Sequence, residues 1–218
     1  FFSIWAKKGI AISLDAGYTV DQLAYVLGDS EPKYLFVSNK TKEVAEAANS
    51  KLNNAVKIIN VDELQLPSDY KIKQEEFSND SNEDVAVLVY TSGTTGNPKG
   101  VMITYENIET NMAGVRAVDL VNENDVILAM LPYHHIMPLC FTLILPMYLG
   151  VPIVLLTEIS SASLLKTLQE NRVTVILGVP RVWEMLDKAI MTKINQSSVA
   201  KFMFKLASKT NSMSIRKM

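Results

Sequence analysis

The chain has 218 residues, 48% of them apolar, enough to bury a sizeable core in one large domain or two small ones, which excludes a disordered chain. Its formal charge of -2 and pI near 5.8 provide no global field for nucleic acid or an anionic membrane, so no nucleic-acid partner is expected. The single cysteine, Cys140, excludes an internal disulfide; it lies in the apolar run PLCFTLIL, which fits a buried thiol in a reducing, cytoplasmic setting.

The first residues, FFSIWAKKG, carry neither an initiator methionine nor the ordering of a signal peptide, as expected of an excised piece. Apolar runs of strand length then recur at GIAISL, YLFV, AVKIIN, VAVLVY, VILAML, VPIVLL and VTVILG, most of them separated by helical signals. The runs are apolar throughout instead of alternating. That pattern predicts an α/β fold of mainly parallel sheets flanked by helices. In TVDQLAYVLG, Thr19 is placed to cap a helix, Gln22 stands three residues on as in a capping box, and Gly28 is expected to end it. Lys40 to Leu52 and Ser161 to Asn171 read as helices with less decisive caps. The boundaries expected are 1-64 for the first βα units, 65-83 for a polar surface connection, and 84-218 for everything that follows.

Between two apolar strands lies YTSGTTGNPKG, Tyr90 to Gly100. Holding a phosphate chain takes several donors converging in a small space, and backbone N–H groups serve only where side chains do not block approach. Gly93, Gly96 and Gly100 supply that freedom, Thr91, Ser92, Thr94 and Thr95 add hydroxyls, and Lys99 adds a positive point charge. Pro98 stiffens the exit, and Thr104 is placed to cap a following helix with Glu106 in its first turn. A Walker A loop does not fit, because counting from Gly93 puts Pro98 where its second glycine belongs and Gly100 where its hydroxyl belongs. The chain also contains no G-x-G-x-x-G dinucleotide fingerprint.

Farther on, Ile136 to Leu156 is 21 residues long without a charge, enough to span a bilayer. Pro138, Pro146, Pro152 and Gly150 instead divide it into an apolar helix of about 10 residues and a buried strand. His134 and His135 are the only histidines, so a zinc site with several histidine ligands is impossible and no metal ligands are assigned. His135 follows VILAML, at the carboxyl end of a strand where open α/β sheets place ligands, whereas His134 reads as structural. Arg181 suits an ion pair with Glu184 as well as an anion, and Trp183 and Met185 suit the core as well as an acyl channel. From Lys188 to Met218 there are seven basic residues and no acidic one. With Val199, Phe202, Met203 and Leu206, this segment reads as a solvated surface helix, and it also suits peripheral contact with a membrane or partner.

YTSGTTGNPKGVMITYENI closely resembles the signature loop of the adenylate-forming enzymes, which include acyl-CoA synthetases, firefly-type luciferases and peptide-synthetase adenylation domains. The resemblance implies that Thr91, Ser92, Gly93, Thr94, Thr95, Gly96 and Lys99 embrace the phosphates of ATP, with Lys99 also catalytic. LPYHHIMPL resembles the next family motif, which implies that His135 borders the acyl carboxylate and the adenylate as a catalytic residue. GVPRVWEML resembles the one after, in wording closest to long-chain fatty acyl-CoA synthetases. The segment from Gly9 to Ser38 is similar to what precedes the loop in the family, except that Ser13 stands where a proline is usual.

What the resemblance implies is ATP- and Mg²⁺-dependent activation of a carboxylic acid, with coenzyme A as the thiol acceptor. It also implies that 1-218 is part of the AMP-binding N-terminal domain. The family's tyrosine-glycine-x-threonine-glutamate motif, its ribose-binding aspartate and its small C-terminal domain are absent from these residues, so this stretch alone is expected to be inactive. Adenylation of an amino or aryl acid, and a non-catalytic nucleotide-binding module, are the alternative readings.

Overall fold

Thr19 begins the clearest helix. Its hydroxyl accepts from the Gln22 N–H at 3.3 Å while the Gln22 side chain accepts from the Thr19 N–H at 2.9 Å, so two donors that the helix leaves unpaired are satisfied reciprocally. The resulting α2, Val20–Ser30, runs past the glycine expected to end it, and Glu31 takes the left-handed conformation (φ 44) instead. At Gly28, inside the helix, a Cβ would make only an ordinary contact with Leu52 Cδ2 at 3.4 Å, so nothing at that position forces the helix to stop.

The computed structural model describes residues 1–65, 81–91 and 97–215, with side chains to 207. Most of the expected surface connection 65-83 lies outside the described residues. The chain forms two compact units, Phe1–Val118 with Pro132–Cys140, and Asp119–Leu131 with Phe141–Met218.

The first unit holds α1 (Phe2–Ala6), β1 (Ala11–Ser13), α2, β2 (Tyr34–Val37), α3 (Lys42–Ser50), β3 (Lys57–Asn60), β4 (Val85–Thr91), β5 (Lys99–Thr104) and α4 (Tyr105–Ala117). Strands β2 and β3 pair in parallel, and Leu23, Leu27, Leu35, Val37, Ala45 and Ala48 pack into one buried cluster under α2 and α3. Asn49, itself buried, accepts from the Val56 N–H at 3.0 Å and donates to the Val56 carbonyl at 2.7 Å, tying the end of α3 to the approach to β3.

A second sheet has the order β1-β4-β5. Strand β1 runs parallel to β4, whose Ala86 and Val87 are fully buried, and β5 returns antiparallel along the other side of β4. The Trp5 indole N–H donates to the Ala86 carbonyl at 2.8 Å, fastening α1 against the central strand. Thr104 closes β5 and opens α4 with a capping box to Asn107, and Glu106 stands in the first turn as expected.

In the second unit, β6 (Ile127–Ala129) lies between β7 (Ile153–Leu155) and β8 (Val175–Ile176), all parallel, beside α7 (Ser161–Glu170), α8 (Pro180–Asn195) and α9 (Ser198–Ile215). Leu128, Met130, Leu164, Val182 and Leu186 form its core. The uncharged run begins in the first unit as α5 (Ile136–Pro138), widens into a π-helical turn over Leu139–Ile144 and ends in the second as α6 (Leu145–Leu149), where Gly150 adopts φ 71. The helical stretch is thus longer than the expected ten residues, and the strand after it is shorter than the apolar run. Pro146 carries no N–H to bond back along the helix, and the wider turn directly precedes it. Among the described residues no helix is long and apolar enough to cross a membrane. In α9, Val199, Phe202, Met203 and Leu206 are exposed.

Candidate phosphate-binding hairpin and histidine pair

Strands β4 and β5 are the two arms of a hairpin, and the glycine-rich segment joins them. In the antiparallel register Thr91 stands directly opposite Lys99, and one step back Tyr90 stands opposite Gly100. Both expected posts of the loop, Thr91 and Lys99, are therefore neighbours at its mouth, and both are exposed. Of the other expected phosphate-binding residues, Ser92, Gly93, Thr94, Thr95 and Gly96 lie outside the described residues. Lys99 Nζ has no ion-pair partner among the described residues, so no neighbouring carboxylate neutralises its charge there.

The histidines stand together in the same unit. Their rings lie 4.2 Å apart between centroids, tilted by 54°. His135 is exposed and caps the start of α5; its N–H donates to the Pro132 carbonyl at 3.3 Å, and its carbonyl accepts from Leu139 N at 3.2 Å. His134 Nε2 approaches Asp15 Oδ2 at 3.7 Å, while Asp15 Oδ1 accepts the Gly17 N–H at 2.8 Å. Burial pulls the His134 imidazole below its ordinary value; Asp15 opposes this, and the neighbouring His135 adds to it. His134 is therefore neutral near pH 7. It lies between Asp15, beyond the end of β1, and His135.

Among the described residues, no hydrogen bond or ion pair joins Lys99 to either histidine, and no cluster of three His, Cys, Asp or Glu is arranged to hold a metal ion. In the other unit, Met185 packs on the core, as a large apolar helix residue should. Trp183 does not. It is 48% exposed, with its indole N–H donating to the Gly178 carbonyl at 3.1 Å. Burial also raises the Cys140 thiol above its usual value, as expected of an inert core cysteine.

Sequence reasoning missed Asp29. Its Oδ2 accepts the Tyr90 hydroxyl at 2.5 Å, one residue before the loop's first post. The two residues are 61 positions apart, and a lone aspartate near a helix end gives no local signal of that contact.

The model of the AMP-binding enzyme family matches residues 1–217. The chain belongs to the AMP-binding enzyme family. Among curated AMP-binding relatives it is 28% identical over 189 residues to the mitochondrial malonate–CoA ligase ACSF3 of Homo sapiens, covering 84% of this chain and 32% of that protein. It is 39% identical over 118 residues to the long-chain-fatty-acid–CoA ligase ACSBG2 of Rattus norvegicus, covering 52% of this chain and 18% of that one. The chain thus spans a third or less of the length of these two relatives. Among solved structures it matches the o-succinylbenzoate coenzyme A synthetase MenE of Bacillus subtilis in complex with ATP and magnesium ion. That match has a TM-score of 0.67 and 26% identity, covering 82% of this chain and 36% of the other. The α/β fold with mostly parallel sheets is the fold of these adenylate-forming neighbours.

Proposed function

We propose that the full-length protein activates a carboxylic acid with MgATP through an acyl-adenylate and transfers the acyl group to coenzyme A. The observation that carries this reading is the hairpin register, which sets Thr91 and Lys99 side by side at the mouth of a loop rich in glycine and hydroxyl residues, in a chain that the family model matches almost end to end. In the first step a carboxylate oxygen attacks the α-phosphorus, forming the mixed anhydride and expelling pyrophosphate. Negative charge builds on phosphate oxygens as it does so. Lys99, the hydroxyls of Thr91, Ser92, Thr94 and Thr95, and the backbone around Gly93 and Gly96 offset that charge. Magnesium enters with the triphosphate, in keeping with a preference for phosphate oxygens over dedicated protein cages. His135, exposed at the start of α5, borders the acyl carboxylate and adenylate. In the second step the thiol sulfur attacks the acyl carbon and AMP leaves.

For the acid, a long-chain fatty acid is the reading supported by the PRVWE wording of Pro180 to Glu184 and by the identity to ACSBG2. The longer overlap with a malonate–CoA ligase and the likeness to an o-succinylbenzoate synthetase support a second reading, a short dicarboxylic or aryl acid. ATP–pyrophosphate exchange by the full-length protein over palmitate, malonate, an aryl acid and amino acids separates them. Exchange with palmitate alone is expected, and exchange only with another acid would replace the first reading by the second. The 218-residue chain by itself is expected to form no acyl-CoA from ATP, coenzyme A and a fatty acid.

A further inference from the structure

We propose that Tyr90 and Asp29 form a clamp that fixes the mouth of the glycine-rich hairpin and so sets the direction in which Thr91 and Lys99 meet a triphosphate. The inference rests on the phosphate-binding reading of the loop. Both are positioning residues, acting through the neck of the hairpin.

Three observations converge on this contact. The Tyr90 hydroxyl donates to Asp29 Oδ2 at 2.5 Å, within the short range of hydrogen bonds to ionised acceptors, and the tyrosine is only 7% exposed. Gly100, directly across from Tyr90, leaves room for the ring: a Cβ there would come within 3.3 Å of Tyr90 Cζ, 3.4 Å of its hydroxyl oxygen and 3.1 Å of Leu88 Cδ1. Asp29 occupies the last turn of α2, where the negative end of the helix dipole disfavours a carboxylate. Its position therefore does nothing for the helix and is accounted for by the partner it holds.

The geometry explains why holding Tyr90 matters one residue later. Successive side chains of a strand point to opposite faces. Anchoring the Tyr90–Gly100 pair on the α2 side thus turns the next pair, Thr91 and Lys99, to the other face. Burial, followed by the Asp29 bond, pushes the Tyr90 phenol up to about 12, so it keeps its proton and remains a donor at any physiological pH. Without the hydroxyl, the Tyr90–Gly100 pair keeps its ladder partners but loses its side-chain tie to α2, one step before the Thr91–Lys99 pair that closes the ladder.

Tyr90→Phe and Asp29→Asn in the full-length protein test the clamp; the second keeps the shape of the side chain and guards against a variant that fails to fold. Each is expected to raise the KM for MgATP about tenfold in pyrophosphate exchange, on the scale of one lost hydrogen bond to a charged group, with the KM for the acid unchanged. The double variant should be no worse than the worse single one. A readout free of the reaction is tryptic cleavage after Lys99 without nucleotide, expected to quicken about tenfold in each variant as the neck opens locally. An unchanged KM for MgATP with only a lowered melting temperature would mean a merely structural contact and overturn the proposal, as would additive effects in the double variant. Should the wild-type protein exchange pyrophosphate with no acid, the proposed function fails and the cleavage rates decide the clamp: equal rates in wild type and variants reject it.

Discussion

In the sheet β7-β6-β8 the central strand has a parallel neighbour on each side and all three of its residues are buried, whereas β5, at the edge of β1-β4-β5, leaves Lys99 to Met102 exposed. A parallel strand must hand the chain to a crossover connection, so its two ends are separated in sequence and in space. An antiparallel edge pair returns the chain at once, and both ends of the connecting loop stand together. The first arrangement makes a core, and the second makes a mouth. The chain uses each for the matching purpose: a buried core surrounds Leu128, while its chemically loaded segment joins Thr91 to Lys99.

The largest expected effect breaks the buried side of this contrast. Leu128→Ala should cost about 2–5 kcal/mol in denaturant unfolding, because it empties a site with no solvent access, while Met102→Ala on the exposed edge should stay within about 0.5 kcal/mol. Equal losses at the two positions would show that β5 carries core weight. On the functional side, Lys99→Ala should lower pyrophosphate exchange about a hundredfold, the scale set by removing one electrostatic stabiliser, and leave the unfolding midpoint in place.

A smaller effect is a pH dependence. The folded value of His134 lies below its ordinary one, so the unfolded chain binds more protons as the pH falls. Its contribution is therefore complete above about pH 6.5 and declines below that. The loss of stability between pH 7 and 5 should be shallower in His134→Gln, as read by thermal melts across that range. Smallest of all, Glu31→Gly should gain about 0.5 kcal/mol by relieving the left-handed conformation that ends α2, two residues from the clamp.

Local chemistry made part of this legible in advance. The Thr19 and Thr104 caps are short-range events written within four residues, and both form as expected. Apolar runs located the strands but overstated their length: GIAISL yields a ladder only over Ala11–Ser13, since a residue can be apolar without finding a hydrogen-bonding neighbour. The end of α2 differs from the expectation because Gly28 continues the helix and the stop falls on a glutamate that adopts a conformation more usual for glycine. At the site, composition and spacing singled out the loop, and the place after a strand together with the family resemblance singled out His135. They could not single out Asp29, because the contact exists only once the fold brings the end of α2 to the end of β4.

The direct pairing of Thr91 with Lys99 also makes the loop separable from its frame. Closing a chain between two posts that already face each other costs little more for a long insert than for a short one. Replacing 92–98 by a two-residue Asn-Gly turn, which favours tight reversal of antiparallel strands, should give a protein that folds normally and is blind to triphosphate. The hairpin is in effect a socket, and what plugs into it can be exchanged without rebuilding the wall.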